Sequence, residues 1–237
     1  AEAQHADGLR CLGAFMRVKR RGRVRTKRAT RAELSASPLH RFAAMYASMY
    51  LGDVHTNAKG AKMAPLSAMG DKVFYTFPES TKAPFGPSNF DKDAAAPRQN
   101  LEVRVTGEAA SYFRGLDEWA VDYICTHSER LFKKKLSLQQ VRDSYTPCLR
   151  QTPGYEPLLR TKINMPGSRG ACRFWTASGE EREAPVDWRE ADVKPHVHVS
   201  HLWLMGGSCG IVVNVTDLLV SEASRAFPFA QGEPMCE

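Results

Sequence analysis

Long apolar stretches are absent from this chain of 237 residues. No run of about 18 apolar residues occurs, the length that a membrane-spanning helix needs, and the first residues lack the apolar core of a secretory signal. We therefore expect a soluble protein without a membrane partner. Its 43% hydrophobic content is enough for one well-filled domain with extensions, or for two small domains.

Closely spaced cysteines are also absent. The six cysteines lie far apart, and no two of them have a Cys-x-x-Cys spacing. Zinc ribbons and small disulfide-rich domains both need such spacings. We interpret the following residues as reduced thiols: Cys11, Cys125, Cys148, Cys172, Cys209 and Cys236.

Motifs of catalytic nucleophiles and nucleotide-binding loops are missing. The sequence contains no Gly-x-Ser-x-Gly, Walker or Gly-x-Gly-x-x-Gly segment. Paired acids such as Glu180 and Glu181, or Glu190 and Asp192, fall in a polar, loop-like stretch, where solvation explains them better than acid and base catalysis. We predict a protein that is not an enzyme and that needs no cofactor.

Three histidines are the best candidates for a metal site. His196 and His198 project to the same face of a predicted strand, and His201 follows them. No carboxylate or cysteine stands at a ligand-like spacing beside them, and Lys194 would repel a cation. The pattern favours half-exposed strand histidines over metal ligands, so we expect no metal site.

Positive charge is segregated along the chain. Residues 1–35 hold ten Lys and Arg against three Asp and Glu, whereas residues 36–237 hold 23 of each sign. Within the second part, residues 130–173 carry ten basic and two acidic side chains, a net charge of +8. Such a segment attracts a polyanion directionally, although surface Lys and Arg also serve solubility alone.

The N-terminal basic segment from Arg17 to Arg31 has too few large apolar residues to fold by itself, and we expect it to be disordered. Three interpretations stay open: a nuclear-localisation or nucleic-acid arm, the remainder of an organelle transit peptide, or a solvated tail. The first favours the nucleus, and the second a mitochondrion or plastid. Its candidate residues are Lys19, Arg20, Arg21, Arg23, Arg25, Lys27 and Arg28.

A first helix is predicted over Pro38–Leu51. Its aromatic residues Phe42, Tyr46 and Tyr50 are spaced four apart, which is typical of an amphipathic helix. Packing of this stripe against the body of the protein is its expected role.

Helical spacing returns in the middle of the chain. Residues 108–132 place apolar side chains three and four positions apart. A second, shorter helix is indicated by Ser137 and Gln140, which have the spacing of a capping box, and it stops near Pro147.

Alternating residues predict strands before and after these helices. Val73–Phe77 and Leu101–Thr106 come first, and in the latter Leu101, Val103 and Val105 share one face.

The later strands end in a hairpin. They comprise Leu158–Asn164, Cys172–Ala177, and a hairpin of Lys194–Met205 with Gly210–Val220 around a Gly206-Gly207 turn, whose core side holds Ile211, Val213 and Val215. Since helical and strand segments do not alternate along the chain, this order favours an α+β fold, a small and partly open antiparallel β-barrel with inserted helices.

Basic residues and aromatics are interleaved on the predicted strand faces, as a groove for a single nucleic-acid strand requires. Candidates for phosphate binding are Arg160, Lys162 and Arg173; candidates for base stacking are Trp175, Tyr155 and Trp203; further candidates are Arg104, Lys133, Lys134 and Lys135. A barrel Trp packs in the core or rim more often than it faces a ligand. Trp175 departs furthest from that rule because it shares a face with Arg173.

Several segments together resemble a known family. They are Pro84-Phe-Gly-Pro-Ser-Asn-Phe-Asp91, Tyr145-Thr-Pro147, Tyr155-Glu-Pro157, Phe174-Trp175, and the hairpin from Leu202-Trp203 to Gly210. In order and spacing they resemble a family of large nucleocytoplasmic DNA viruses, which is similar in turn to phage single-stranded-DNA-binding proteins of the T7 and Enc34 kind. The resemblance runs from about Val73 to Ser221, roughly two thirds of the chain.

The resemblance implies an oligonucleotide-binding (OB) fold that holds single-stranded DNA without sequence specificity during replication, recombination or repair. Phage members end in an acidic tail that recruits partners, whereas residues 232–237 hold only two acids. Partners from a replication machinery therefore stay an open expectation, as does RNA in place of DNA. The alternative is a protein-interaction or structural subunit that uses the same barrel, with the basic tail as a targeting signal.

This interpretation divides the chain into four parts. Residues 1–35 form the basic tail, 36–72 a helical and linker extension, 73–222 the OB-like binding domain, and 223–237 a C-terminal tail.

Overall fold

The structure, a computed structural model, describes residues 38–58, 60–89, 93, 95–189 and 191–221. The basic tail with its candidates from Lys19 to Arg28, and the C-terminal tail, lie outside these residues. Among the helices described, none is both long and apolar enough to cross a membrane.

The described part of the chain forms four helices and twelve strands. The helices are α1 (Pro38–Ala47), α2 (Gly107–Thr126), α3 (Ser128–Phe132) and α4 (Leu138–Ser144). The strands are β1 (Met49–Leu51), β2 (His55–Thr56), β3 (Lys62–Ala68), β4 (Val73–Thr76), β5 (Thr81–Ala83), β6 (Arg98–Arg104), β7 (Leu149–Arg150), β8 (Leu158–Asn164), β9 (Arg173–Trp175), β10 (Glu181–Arg182), β11 (Ala191–Met205) and β12 (Ser208–Ser221).

These strands form one sheet around the long β11–β12 hairpin. Its main path runs β1, β3, β11, β12, β8, β6, while β4 and β5 pair with β11 and β9 pairs with β12. The two ends of the path, β1 and β6, do not pair with each other within the described residues, so the sheet is open. The predicted α+β fold around a partly open, mostly antiparallel sheet is confirmed.

Two pairings differ from the antiparallel prediction, because β12 runs parallel to both β8 and β9. Strands β8 and β9 follow one another along the same edge of β12 and are separated by the loop 165–172. The Cys172 amide donates to the Asn164 carbonyl at 2.9 Å and closes this loop. The chain therefore continues in the same direction, and Lys162 and Arg173 lie along one line of the sheet.

The core lies between the helices and one face of the sheet. Tyr112 of α2 stacks on Tyr75 of β4 with ring centroids 4.1 Å apart, and Phe42 of α1 meets Tyr112 edge-on at 5.1 Å. The buried stripe of α2 comprises Ala109, Ala110, Tyr112, Phe113, Leu116, Ala120 and Ile124. The helices thus cover the inner face of the sheet, and alternate strand residues point to the other side.

The predicted helical spacing over 108–132 is confirmed, with a break at His127 that separates α2 from α3. The predicted capping box is also present: the Ser137 side chain accepts from the Gln140 amide, and the Gln140 side chain accepts from the Ser137 amide. Leu101, Val103 and Val105 are buried, which confirms the predicted inner face of the stretch Leu101–Thr106.

The prediction was wrong at the start of the body. The helix ends at Ala47, and Met49–Leu51 forms β1 in antiparallel pairing with β3. The stretch 36–72, expected to be helix and linker, therefore contains three strands, and β3 pairs with β11. Ala, Ser and Met have little strand preference of their own, and neighbouring strands supply the hydrogen bonds that decide their conformation. The sheet thus begins upstream of Val73.

A half-buried carboxylate ties α2 to the segment that leads into β7 and β8. Asp117 Oδ1 accepts from the Tyr145 hydroxyl at 2.7 Å and from the Cys148 amide at 3.0 Å. Burial raises the pKa of Asp117, and these hydrogen bonds oppose the rise. Because β7 pairs with β8, this contact fixes the strand that carries Arg160 and Lys162.

Candidate nucleic-acid interface

The face of the sheet turned away from the helices is polar. On β8, residues Leu159, Thr161 and Ile163 are buried, while Arg160 and Lys162 point outward with Asn164, as the alternation predicted. The term outer face is used below for the surface formed by the outward residues of β4, β6, β8, β9, β11 and β12. Arg160 is exposed and has no ion pair among the described residues.

One row of the outer face crosses five strands. From β4 to β6 it consists of Phe74, His198, Asn214, Lys162 and Asn100, each facing the next in the strand pairing. At the usual spacing between strands of about 4.8 Å, this row is roughly 20 Å long. Phe74 thus lies at one end of this row, and Lys162 lies near the other end.

A second row lies next to the first. It consists of Thr76, His196, Asp217 and Arg173, on β4, β11, β12 and β9. Trp175 follows two residues after Arg173 and shares its face, as predicted.

Lys162 of the first row and Arg98, which lies beside that row on β6, form a pair of cations. Arg98 Nη2 donates to the side-chain oxygen of Asn214 at 2.9 Å, and Lys162 Nζ donates to that of Asn100 at 2.5 Å. No carboxylate lies within ion-pair distance of either cation in the described part of the chain. Burial lowers the pKa of both, and for Lys162 the neighbouring charge of Arg98 lowers it further. Within the described residues, this pair has hydrogen bonds but no counter-charge.

Phe74 lies between two histidines on the outer face. Its ring is stacked on His196 with centroids 5.3 Å apart and planes 5° apart, and on His198 at 5.0 Å and 30°. Burial, and then the charge of Lys72, lowers the pKa of His198 to about 4, so this ring is neutral at pH 7. We call Phe74, His196 and His198 the aromatic ladder. It offers flat rings at the surface, since Phe74 remains 36% exposed.

The alternation of residues 73–77 identifies Phe74 as a surface residue. Val73, Tyr75 and Phe77 are buried while Phe74 is exposed, and period-two alternation alone would have placed Phe74 outward. Arg98 likewise extends the alternation of Leu101–Thr106 three residues upstream. Of the three histidines that were metal candidates, His196 and His198 stack on Phe74, while His201 Nδ1 lies 2.9 Å from Ser200 Oγ.

Arg173 and Trp175 share one acceptor. Asp217 Oδ1 lies 2.6 Å from Arg173 Nη2 and accepts from Trp175 Nε1 at 3.1 Å. The Arg173 guanidinium lies over the indole, 5.2 Å from its centroid. The two candidates lie together, but a carboxylate holds them.

The remaining candidates lie in other surroundings. Trp203 is on the outward side of β11 and packs over Gly210, where an added Cβ would come 2.9 Å from the indole nitrogen. Tyr155 is 75% exposed on the loop between β7 and β8, and Arg104, at the end of β6, lies 3.9 Å from Glu156. The three lysines Lys133, Lys134 and Lys135 are on the loop between α3 and α4. Their part in binding stays a prediction.

Fold and surface together define an open-sheet protein that presents cations and stacked rings side by side. No family model matches the sequence. No curated protein matches it either.

Among solved structures, the chain resembles single-stranded DNA-binding proteins of bacteriophages. That of bacteriophage Enc34 has a TM-score of 0.40 and 11% identity, covering 78% of this chain and 96% of that one. The gp2.5 protein of bacteriophage T7 has a TM-score of 0.45 and 9% identity, covering 68% and 97%. The Enc34 protein in complex with ssDNA has a TM-score of 0.39 and 10% identity, covering 74% and 97%. Because these likenesses are distant, the function has to be inferred from the residues of this chain.

Proposed function

We propose that this protein binds single-stranded nucleic acid on its outer face, with DNA as the expected substrate and no sequence specificity. Arg98 and Lys162 bind phosphates, with Arg160 beside them, and the aromatic ladder stacks bases. Ring stacking requires unpaired bases, so a duplex does not fit this surface.

The pair of Arg98 and Lys162 carries this proposal. Lys162 is half-buried and Arg98 is exposed, and the two neighbouring cations repel each other unless an anion compensates them. Their partners are amide oxygens, which orient the cations but do not neutralise them. A phosphate group supplies the missing charge, and Lys162 lies in the row that begins at Phe74.

Lack of sequence specificity follows from the same contacts. The side-chain oxygens of Asn100 and Asn214 accept from Lys162 and Arg98, which turns these amides toward the cations. Stacking accepts every base because every base has a π face.

A fluorescence titration with oligo-dT tests the proposal. Log affinity should fall with log salt at a slope of about −0.7 for each phosphate that is neutralised. The variant R98Q/K162Q should bind at least about tenfold more weakly, with a slope flatter by about 1.4.

The matched control is R114Q/R142Q, which removes two exposed arginines from α2 and α4. It should change affinity much less than R98Q/K162Q. Equal losses of affinity in the two variants would mean that positive charge attracts DNA without a defined site. Absence of binding by the unmodified chain would overturn the proposal.

We further propose that the protein covers transiently exposed single strands during replication, recombination or repair, with the basic tail as a nuclear address and with protein partners from that machinery. Side-by-side titrations with single-stranded DNA, duplex DNA and RNA test the substrate class. A fluorescent fusion with and without residues 1–35 tests the compartment: the address is contradicted if both versions localise alike.

A further inference from the structure

Asp217 has an unusual position on the outer face. One of its oxygens serves both Arg173 and Trp175, and its side chain is only 17% exposed, against 58% for Arg173. A shielded carboxylate therefore holds an accessible guanidinium.

This contact has two effects on the residues it holds. It neutralises Arg173, which shares its row with His196 of the aromatic ladder. It also fixes the guanidinium over the indole of Trp175, where a base would otherwise stack. In the strand pairing Trp175 lies opposite Glu181 of β10, so a second acid borders this end of the face.

We propose that Asp217 competes with nucleic-acid phosphate for Arg173 and keeps Trp175 covered until a strand occupies the outer face. The proposal rests on the proposed function. A backbone phosphodiester and a carboxylate each carry one negative charge, and both accept bidentately from a guanidinium, so a phosphate can replace Asp217 at Arg173. A strand held at Arg98 and Lys162 brings further phosphates to Arg173 at high local concentration. Asp217 is thus a residue that limits affinity and positions Arg173 for exchange.

The variant D217N tests this exchange with little change in shape. Asparagine keeps an oxygen that can accept from Trp175 Nε1, but it loses the charge that holds Arg173. Affinity for oligo-dT should rise about fivefold, the scale of a partly exposed ion pair, and the salt slope should steepen by about 0.7.

Two further variants separate the mechanism from general charge effects. D143N makes the same charge change on α4, where Asp143 accepts from Gln139, and it should leave affinity nearly unchanged. In R173Q/D217N the gain should disappear, because Arg173 carries it.

The outcomes distinguish the two proposals. If the unmodified chain binds oligo-dT but D217N gains nothing, or gains no more than D143N, the role of Asp217 is overturned while the proposed function stands. If the unmodified chain does not bind, both fall.

A second measurement does not depend on the folding of D217N. Saturating oligo-dT should quench the emission of the unmodified chain more than that of W175F, because Trp175 becomes uncovered. Equal quenching in both would contradict the exchange at Arg173.

Discussion

Arg98 with Lys162, and Arg173 with Trp175, are two cationic sites on one face of one sheet, and they differ in their partners. The first pair donates to the neutral side chains of Asn214 and Asn100. The second is held by the carboxylate of Asp217. Strand pairing brings both within reach of one nucleic-acid strand, yet the first is charged and available, whereas the second is neutralised.

This difference shows why counting basic residues does not locate a binding site. Arg173 contributes to the +8 of residues 130–173, but its charge is already compensated. Arg98 lies outside that segment and has no counter-charge among the described residues. Whether a cation can bind an anion depends on the groups that it contacts, and the net charge of a segment contains no information about those contacts.

The largest expected effect concerns the aromatic ladder, because its rings belong to the rows of both cationic sites. Phe74→Leu should weaken binding of oligo-dT by about 1–3 kcal/mol, the usual contribution of a stacked base. Phe85→Leu is the control, since Phe85 is more exposed, at 57%, and lies on the loop after β5. Titration of both variants checks this, and a similar loss for Phe85→Leu would contradict the ladder.

Opposite changes in stability are expected at the two cationic sites. Lys162→Gln keeps a donor for Asn100 and removes the repulsion from Arg98, so the free energy of unfolding should rise by a few tenths to about 1 kcal/mol. Arg173→Gln should lower it by about as much, because shielded Asp217 loses its partner. Urea unfolding measures both, and shifts of the same sign would show that the two sites do not differ as described.

A dependence of stability on pH is expected at the end of the face that holds Arg98. Burial lowers the pKa of His201 to about 4, with smaller effects from Arg98, His198 and His55, and the pKa of His198 is also about 4 against the ordinary value of 6.5. As the pH falls, both histidines are protonated in the unfolded chain at a higher pH than in the folded protein. The free energy of unfolding is therefore unreduced by these two histidines above pH 6.5, and it falls as the pH is lowered toward 4.

Urea midpoints at pH 7 and pH 5 measure this loss. H198Q/H201Q should flatten the dependence, and Arg98→Gln should flatten it partly, because it relieves His201. An unchanged pH dependence in H198Q/H201Q would assign the acid sensitivity to other groups.

The sequence allowed some elements to be predicted closely. The helical spacing over 108–132, the capping box at Ser137 and Gln140, and the bounds of Leu158–Asn164 were confirmed, because periodicity and capping act within a few residues. The start of the sheet was predicted wrongly, since β1 and β3 have weak strand preference and depend on partners distant in the chain.

Alternation along β8 by itself placed Arg160 and Lys162 on a common surface, because neighbouring strand residues must point to opposite faces. Only the tertiary structure decided what each cation meets. Arg98 and Asn214 are 116 positions apart in the chain, and Trp175 and Asp217 are 42 apart. Strand pairing makes such residues neighbours, and the difference between an amide and a carboxylate partner, which distinguishes an available cation from a neutralised one, appears only when the sheet forms.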